Sequence, residues 1–159
     1  MNSYFYPTES GWFPELLEAW KGTGKSKLAF PFYDFEVQTL PQQLDSDFWM
    51  YLYYTKNRTE EITLRGTIPY RVHVVRHGIE KFNDQDAHVR NDWEENARTW
   101  FLCDVVEEIR RLDGSYLLAE DFDHTEDKEL LSAIRKSVSP TRRISPFVVV
   151  GRCMRELHD

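Results

Sequence analysis

Residues 48–55 read FWMYLYYT, residues 56–61 read KNRTEE, and residues 62–75 read ITLRGTIPYRVHVV. The first segment is rich in aromatic residues that favour strands, and the second is charged and typical of a turn. The third alternates apolar and polar residues, which is the period of a strand with one buried face. Together the three segments predict a β-hairpin, and the rest of the chain is organised around it.

The second strand of this hairpin has two unlike faces. Its apolar residues fall on one face: Ile68, Tyr70, Val72 and Val74. Arg71 and His73 point to the other face. Gly66 interrupts the alternation and predicts a bulge or a sharp bend, and Pro69 indicates that its backbone nitrogen is not needed in the ladder.

Length and charge limit the classes of function. The chain has 159 residues, which predicts one domain with an N-terminal arm at residues 1–12 and a polar insert at residues 76–98. Its net charge is −7. A broad basic surface that wraps duplex DNA is therefore excluded, because affinity for phosphates comes from clustered Lys and Arg. A small local basic pocket is still compatible with this charge.

The cysteines and the hydropathy pattern indicate the compartment. Cys103 and Cys153 are 50 positions apart, and we interpret both as reduced, buried thiols of a cytoplasmic protein. No apolar stretch reaches the length of a membrane span, and residues 1–6 lack the features of a signal peptide. We expect no membrane partner and no cofactor, and the sequence leaves the oligomeric state open.

The remaining pattern predicts short helices and further strands. Pro14 opens a helix that Gly22 ends, and Asp123 caps a second helix that stops at Ser139. Residues 30–35 are expected to be irregular. A further strand is expected at 99–109, and residues 147–152 are expected to form a last strand or a tight apolar segment. The fold class is therefore α+β, and a small, bent, mostly antiparallel barrel with short flanking helices fits best.

Residues 22–26, GTGKS, invite comparison with a phosphate-binding loop. That motif requires another glycine five positions before Gly24, where Ala19 stands, and it requires a strand before the loop and a helix after it. We therefore reject the motif. The segment is either a solvated turn or a polar loop in which Lys25 and Ser26 help to hold the phosphate or the base edge of a ligand.

Several segments resemble the PUA-like superfamily, in particular its EVE and ASCH branches. The matching segments are WKGTGKS at 20–26, WMYLYYT at 49–55, LRGTI at 64–68, WFLCDVV at 100–106 and GRCMREL at 151–157. The resemblance covers most of residues 12–159. It implies a PUA-like barrel that binds RNA or DNA, including modified bases held in an aromatic pocket. Some ASCH members are instead hydrolases that act on modified nucleosides.

Candidate ligand-binding residues are aromatic rings that could stack on a base and polar groups that could hold a phosphate or a base edge. They are Lys25, Ser26, Trp49, Tyr51, Tyr53, Arg65, Arg142 and Arg143. Each also has a structural interpretation: the rings could simply pack in the core, and the arginines could form ordinary surface ion pairs.

Catalytic and metal sites have weaker support. His73, His77 and His88 with Asp84 and Asp86 carry suitable atoms, but their spacing matches no metal-binding pattern, so no metal site is predicted.

A hydrolase of the ASCH type could use Lys25 or Lys27 with Thr67 and Glu107. The spacing of these residues in the sequence does not by itself indicate such a site. Besides a binding module and a hydrolase, the sequence is compatible with an acidic protein–protein adaptor. The leading hypothesis is a nucleic-acid or modified-nucleotide binding module with an aromatic-lined cleft, and the sequence does not decide whether the protein is an enzyme.

Overall fold

The computed structural model describes residues 3–8, 12–31, 46–54, 66–78, 82–89, 100–122, 128–136 and 147–149. The elements in chain order are β1 (Ser3–Thr8), α1 (Trp12–Lys21), β2 (Lys27–Pro31), β3 (Phe48–Tyr54), β4 (Tyr70–Gly78), β5 (Ala87–His88), β6 (Trp100–Glu108), a 3-10 helix (Ala119–Asp121), α2 (Lys128–Lys136) and β7 (Phe147–Val149).

These strands form one seven-stranded sheet in the order β5–β2–β6–β4–β3–β1–β7. Two of the six strand pairs, β1–β3 and β2–β5, are parallel, and the other four are antiparallel. The α+β class is confirmed, with a mixed and mostly antiparallel sheet. Among the described residues the outer strands β5 and β7 do not pair with each other, so the sheet is not closed.

The central hairpin is confirmed, because β3 and β4 pair antiparallel from Phe48 opposite Val74 to Leu52 opposite Tyr70. The expected turn at residues 56–61 lies outside the described residues.

The bulge predicted at Gly66 is present. The Gly66 N–H donates to the Tyr54 carbonyl at 2.9 Å, and the Tyr54 N–H donates to the Thr67 carbonyl at 3.0 Å. Two residues therefore oppose one, and the φ of +76° at Gly66 is the left-handed conformation that this type of bulge requires.

The prediction that Ile68 shares a face with Val72 and Val74 is wrong. Ile68 was expected beside Val72 and Val74, but it packs with Tyr51 and Tyr53 on the opposite face of the sheet. The bulge at Gly66 lies before Ile68 and leaves its phase with Val72 unchanged. The pairing passes from Thr67 opposite Tyr54 to Tyr70 opposite Leu52, so one extra residue between Thr67 and Tyr70 breaks the two-residue period, and Ile68 forms a bridge with Leu117.

Both faces of the sheet are covered where β3 runs. One face, the α1 face, packs Met50 and Leu52 against Phe13 and Leu16 of α1. The other, the α2 face, packs Tyr51 and Tyr53 against the segment around the 3-10 helix and against α2, through residues that include Phe122 and Ile134. A smaller apolar cluster extends the α2 face toward β5: Ala29, Ala87, Trp100 and Leu102, with Val75, Phe82 and Val89 against them. Alternation along β3 thus sends its side chains into two cores.

The expected N-terminal arm is an internal strand. β1 lies between β3 and β7, pairs parallel with β3, and buries Tyr4 and Phe5 almost completely. The aromatic residues do pack, but as part of the sheet, and a parallel pairing between segments more than 40 residues apart has no local sequence signal. β2 likewise replaces part of the irregular segment expected from Phe30, because it pairs with β6.

The polar insert begins later than residue 76. β4 continues to Gly78, so Arg76 and His77 belong to the strand. The described residues 82–89 contain the two-residue strand β5, which pairs parallel with β2.

Both helices and two further strands of the sequence prediction are present. α1 spans Trp12–Lys21, beginning two residues before Pro14 and ending before Gly22, and α2 spans Lys128–Lys136. The expected cap at Asp123 and the stop at Ser139 lie outside the described residues. The strands expected at 99–109 and 147–152 correspond to β6 and β7.

Replacing Gly66 by Ala is expected to lower the free energy of unfolding by about 1–2 kcal/mol, because a Cβ opposes the left-handed conformation. Gly22→Ala is the control, since a Cβ there would only meet the Ala19 carbonyl at an ordinary 3.6 Å. Urea unfolding of the two variants measures the difference. Equal stability of both variants would contradict the bulge at Gly66.

Candidate functional site

A cleft of about 370 Å³ lies between the loop after α1 and the segment that carries β5. Its lining combines one lysine, one aromatic ring, two amides, one carboxylate and two small apolar residues: Lys25, Phe82, Asn83, Asp84, Gln85, Ala87 and Val89. The lining carries more polar than apolar surface, so the cleft offers more charged and hydrogen-bonding groups than the mostly apolar lining of a typical small-molecule site.

The loop after α1 is held by hydrogen bonds that place Lys25. Thr23 closes the helix, with its N–H and its Oγ1 donating to the Trp20 carbonyl at 3.0 and 2.8 Å. Gly24 adopts a φ of +72°, and the Trp20 Nε1 donates to the Lys25 carbonyl at 2.8 Å. α1 precedes this loop and β2 follows it, which is the reverse of the order in a phosphate-binding loop and agrees with rejecting that motif.

A second set of bonds ties this loop to the β5 segment. The Lys27 N–H donates to the Asp86 carbonyl at 3.2 Å, and the Ser26 hydroxyl and N–H both donate to the Asp86 carboxylate. These bonds from Ser26 lower the pKa of Asp86, so this carboxyl is ionised at neutral pH. Ser26 is therefore engaged in joining the two walls of the cleft.

The charges around the cleft are unequally paired. Asp84 lies 3.2 Å from the Lys27 ammonium and 3.7 Å from the Arg76 guanidinium. The Lys25 ammonium instead donates to the Ala87 carbonyl at 3.4 Å, and among the described residues no carboxylate lies within ion-pair distance of it. Lys25 is thus the cation at this cleft whose charge is available to an anionic ligand.

Phe82 and two amides supply the other chemistry of the cleft. Phe82 packs edge-on against Trp100, with ring centroids 5.1 Å apart, and is half-buried. Asn83 and Gln85 are exposed, and each amide offers both a donor and an acceptor, which suits the edge of a nucleobase. Beside them, burial and the charge of Lys25 lower the pKa of His88.

A different polar cluster lies on the α2 face at the middle of the sheet. In the β4–β6 register Val74 opposes Cys103 and His73 opposes Val105, so Asp104 is an extra residue in a bulge. The bulge aims the carboxylate of Asp104 at His73, whose Nδ1 lies 2.8 Å from Asp104 Oδ1, and Asp47 lies 3.5 Å from Nε2 on the other side. His73 therefore lies between two carboxylates and is hydrogen-bonded to Asp104 through Nδ1.

Trp49 stacks on this same cluster. Its ring lies 5.1 Å from the His73 ring and 4.5 Å from the Arg71 guanidinium, and Arg71 is also paired with Glu107. Side chains of the protein itself therefore contact the indole where a stacked base would be expected. Trp49 is half-buried, and the other two candidate rings, Tyr51 and Tyr53, are buried in the core of the α2 face.

The structure thus separates the predicted ligand-binding residues. Lys25 and Ser26 lie at the cleft, whereas Trp49 lies on the α2 face beyond β4 and β6. Arg65, Arg142 and Arg143 lie outside the described residues.

The residues of the possible hydrolase are not brought together. Lys27 is paired with Asp84, Glu107 is paired with Arg71, and Thr67 is opposite Tyr54 at the far end of β3. Among the described segments no three His, Cys, Asp or Glu side chains form a group that could hold a metal ion. Cys103 is a buried free thiol whose pKa is raised by burial, in agreement with the expected reduced thiol.

Sequence reasoning did not single out Phe82, Asn83, Gln85 or Asp104 as site residues. One signal was present for Phe82, which is the one aromatic residue among the polar residues 81–86 and therefore a candidate anchor. Asp104 interrupts the apolar run of β6, which is the mark of a polar residue that a bulge turns toward a partner.

Comparison of the chain with family models, with curated proteins and with solved structures found no match. The PUA-like resemblance accordingly stays a prediction from its short motifs. Within the described segments, no helix has both the length and the apolar character needed to cross a bilayer.

The lowered pKa of His88 predicts a pH-dependent stability. The unfolded chain protonates His88 near its usual value of 6.5, while the folded chain stays neutral to lower pH. Stability should therefore fall as the pH drops below about 6.5 toward the lowered value. In urea unfolding at a series of pH values, His88→Asn should lose less stability over this window than the wild type, and both should behave alike above pH 8. Parallel curves throughout would refute the assignment.

Proposed function

We propose that this chain is a nucleotide-binding module, and that it recognises a base and a phosphate, in a nucleic acid or as a modified nucleotide, in the cleft beside Lys25. The observation that carries the proposal is the Lys25 ammonium, which has no carboxylate partner among the described residues and lies in one cleft with Phe82, Asn83 and Gln85.

Each part of a nucleotide has a suitable group in this cleft. Stacking on the Phe82 ring would contribute about 1–3 kcal/mol per base. The amides of Asn83 and Gln85 would pair with the base edge, and the Lys25 ammonium would meet a phosphate oxygen as a point charge.

The proposed cleft keeps the polar residues of the sequence-based hypothesis but not its aromatic rings. Lys25 and Ser26 were predicted to hold a phosphate or a base edge, and both lie at this position. Stacking on Trp49, Tyr51 and Tyr53 is not part of the proposal, because two of these rings are buried and the third contacts Arg71 and His73.

We include in the proposal a PUA-like barrel and a cytoplasmic location. The mostly antiparallel sheet and the bulge at Gly66 support a bent sheet of this kind, and the buried free thiol of Cys103 supports a reducing compartment. The alternatives of a nucleoside hydrolase and an acidic adaptor have no comparable support from contacts of the described residues.

Lys25→Gln is expected to weaken nucleotide binding by about tenfold or more, because a hydrogen bond to a charged group contributes about 1.5–3 kcal/mol. Trp20 and Trp100 contact residues of the cleft, so quenching of tryptophan fluorescence by the four ribonucleoside 5′-monophosphates measures binding.

The matched control is Lys21→Gln, which removes the same charge from an exposed lysine near the end of α1 that is paired with Glu18. It should change the affinity by less than about twofold. Equal losses in the two variants would mean that only net charge matters, and the cleft would be rejected.

The variant Trp49→Phe tests whether the nucleotide binds in the cleft or on the Trp49 ring, which the sequence predicted as a stacking platform. Its affinity for the same nucleotides should equal that of the wild type, because the indole is already in contact with Arg71 and His73. A loss of about tenfold, with unfolding unchanged, would place the ligand on the α2 face instead.

A further inference from the structure

We infer that the cleft takes a single nucleotide carrying one phosphate, and not a polynucleotide strand or a nucleoside triphosphate. This inference rests on the proposed function and narrows it to a ligand class.

The size of the cleft supports a ligand of one nucleotide. Its volume of about 370 Å³ lies at the small end of the range of about 300–1,000 Å³ for pockets that bury a small molecule. Ala87 and Val89 supply its apolar surface, Phe82 supplies the ring, and the amides of Asn83 and Gln85 stand two positions apart. One ring and one pair of amides match one base.

The local charge supports one phosphate. Lys25 and Asp84 line the cleft, Lys27 and Arg76 pair with Asp84, and Asp86 stands between the lining residues Gln85 and Ala87. The described residues at this position therefore carry an excess of one positive charge. Asp84 lies within ion-pair distance of Lys27 and Arg76. The Lys25 ammonium donates to the Ala87 carbonyl and, among the described residues, makes no other hydrogen bond, so two of its N–H groups are open to a phosphate.

The charge of the chain opposes a longer ligand. Proteins that bind single strands follow the backbone with a continuous positive groove, and each added phosphate needs a cation. Here the chain carries a net charge of −7, and Asp86 stands ionised at the edge of the cleft. A second and a third phosphate would therefore meet repulsion, and a strand would gain little beyond its first nucleotide.

Titrations of the wild-type protein with four classes of probe test this inference. The probes are the four ribonucleosides, their 5′-monophosphates, their 5′-triphosphates, and single-stranded RNA and DNA of 12 nucleotides. We expect a monophosphate to bind at least about tenfold tighter than its nucleoside, and Lys25→Gln to abolish that difference while Lys21→Gln preserves it.

We also expect the triphosphate and the strands to bind no tighter than the monophosphate. The affinity for the monophosphate should fall with salt as for one phosphate contact, with a logarithmic slope of about −1 or weaker.

Results that overturn the single-nucleotide inference differ from results that overturn the proposed function. A strand that binds at least about tenfold tighter than every monophosphate, with a salt slope of several units, would overturn the single-nucleotide inference and leave the proposed function standing. Triphosphates that bind about tenfold tighter than monophosphates would overturn the single-phosphate part. Absence of binding by all four classes of probe would overturn the proposed function itself.

Discussion

Burial of β3 on both of its faces is the constraint on which the rest of the structure depends. Met50 and Leu52 face α1, while Tyr51 and Tyr53 face the 3-10 helix and α2, so neither face of this part of the strand is available to a ligand. A strand that is apolar on both sides must lie inside a sheet, and the pairing of β1 and β4 to its two edges satisfies its backbone groups. The aromatic residues of the hairpin therefore build the core, and recognition has to occur elsewhere on the sheet.

On the α2 face, Arg71, His73, Asp104 and Glu107 form a polar row, which shows how the sheet accommodates charge beside that core. The bulge in β6 turns Asp104 toward His73, and Arg71 lies between Glu107 and the Trp49 ring. Arg71 pairs with Glu107, and the Asp104 carboxylate lies at hydrogen-bond distance from the His73 ring, which limits the cost of partial burial. The same pairing that satisfies the row leaves it with little to offer a ligand.

The cleft beside β5 has the opposite character. Its two walls are joined by Ser26, Lys27 and Asp86, so the site is assembled by contacts between segments about 60 residues apart. Asp84 is shared by Lys27 and Arg76, and among the described residues no carboxylate lies within ion-pair distance of the Lys25 ammonium. Within the part of the chain that the structure describes, a cation without a carboxylate partner, a half-buried ring and two exposed amides give this cleft groups that can bind a ligand, and this distinguishes it from the row on the α2 face.

The local pattern of the sequence was sufficient for the α+β class, the β3–β4 hairpin, β6, β7, the two helices and the bulge at Gly66, because each depends on the period or the conformational preference of neighbouring residues. It was also sufficient to bring Lys25 and Ser26 forward as candidates. Only the tertiary structure decided that residues 3–8 form a parallel strand, that Ile68 faces the α2 side, and that Phe82 and Asn83 stand beside Lys25. These features depend on pairings between distant segments, which hydrophobic periodicity does not encode, because periodicity tells which face is buried and not what covers it.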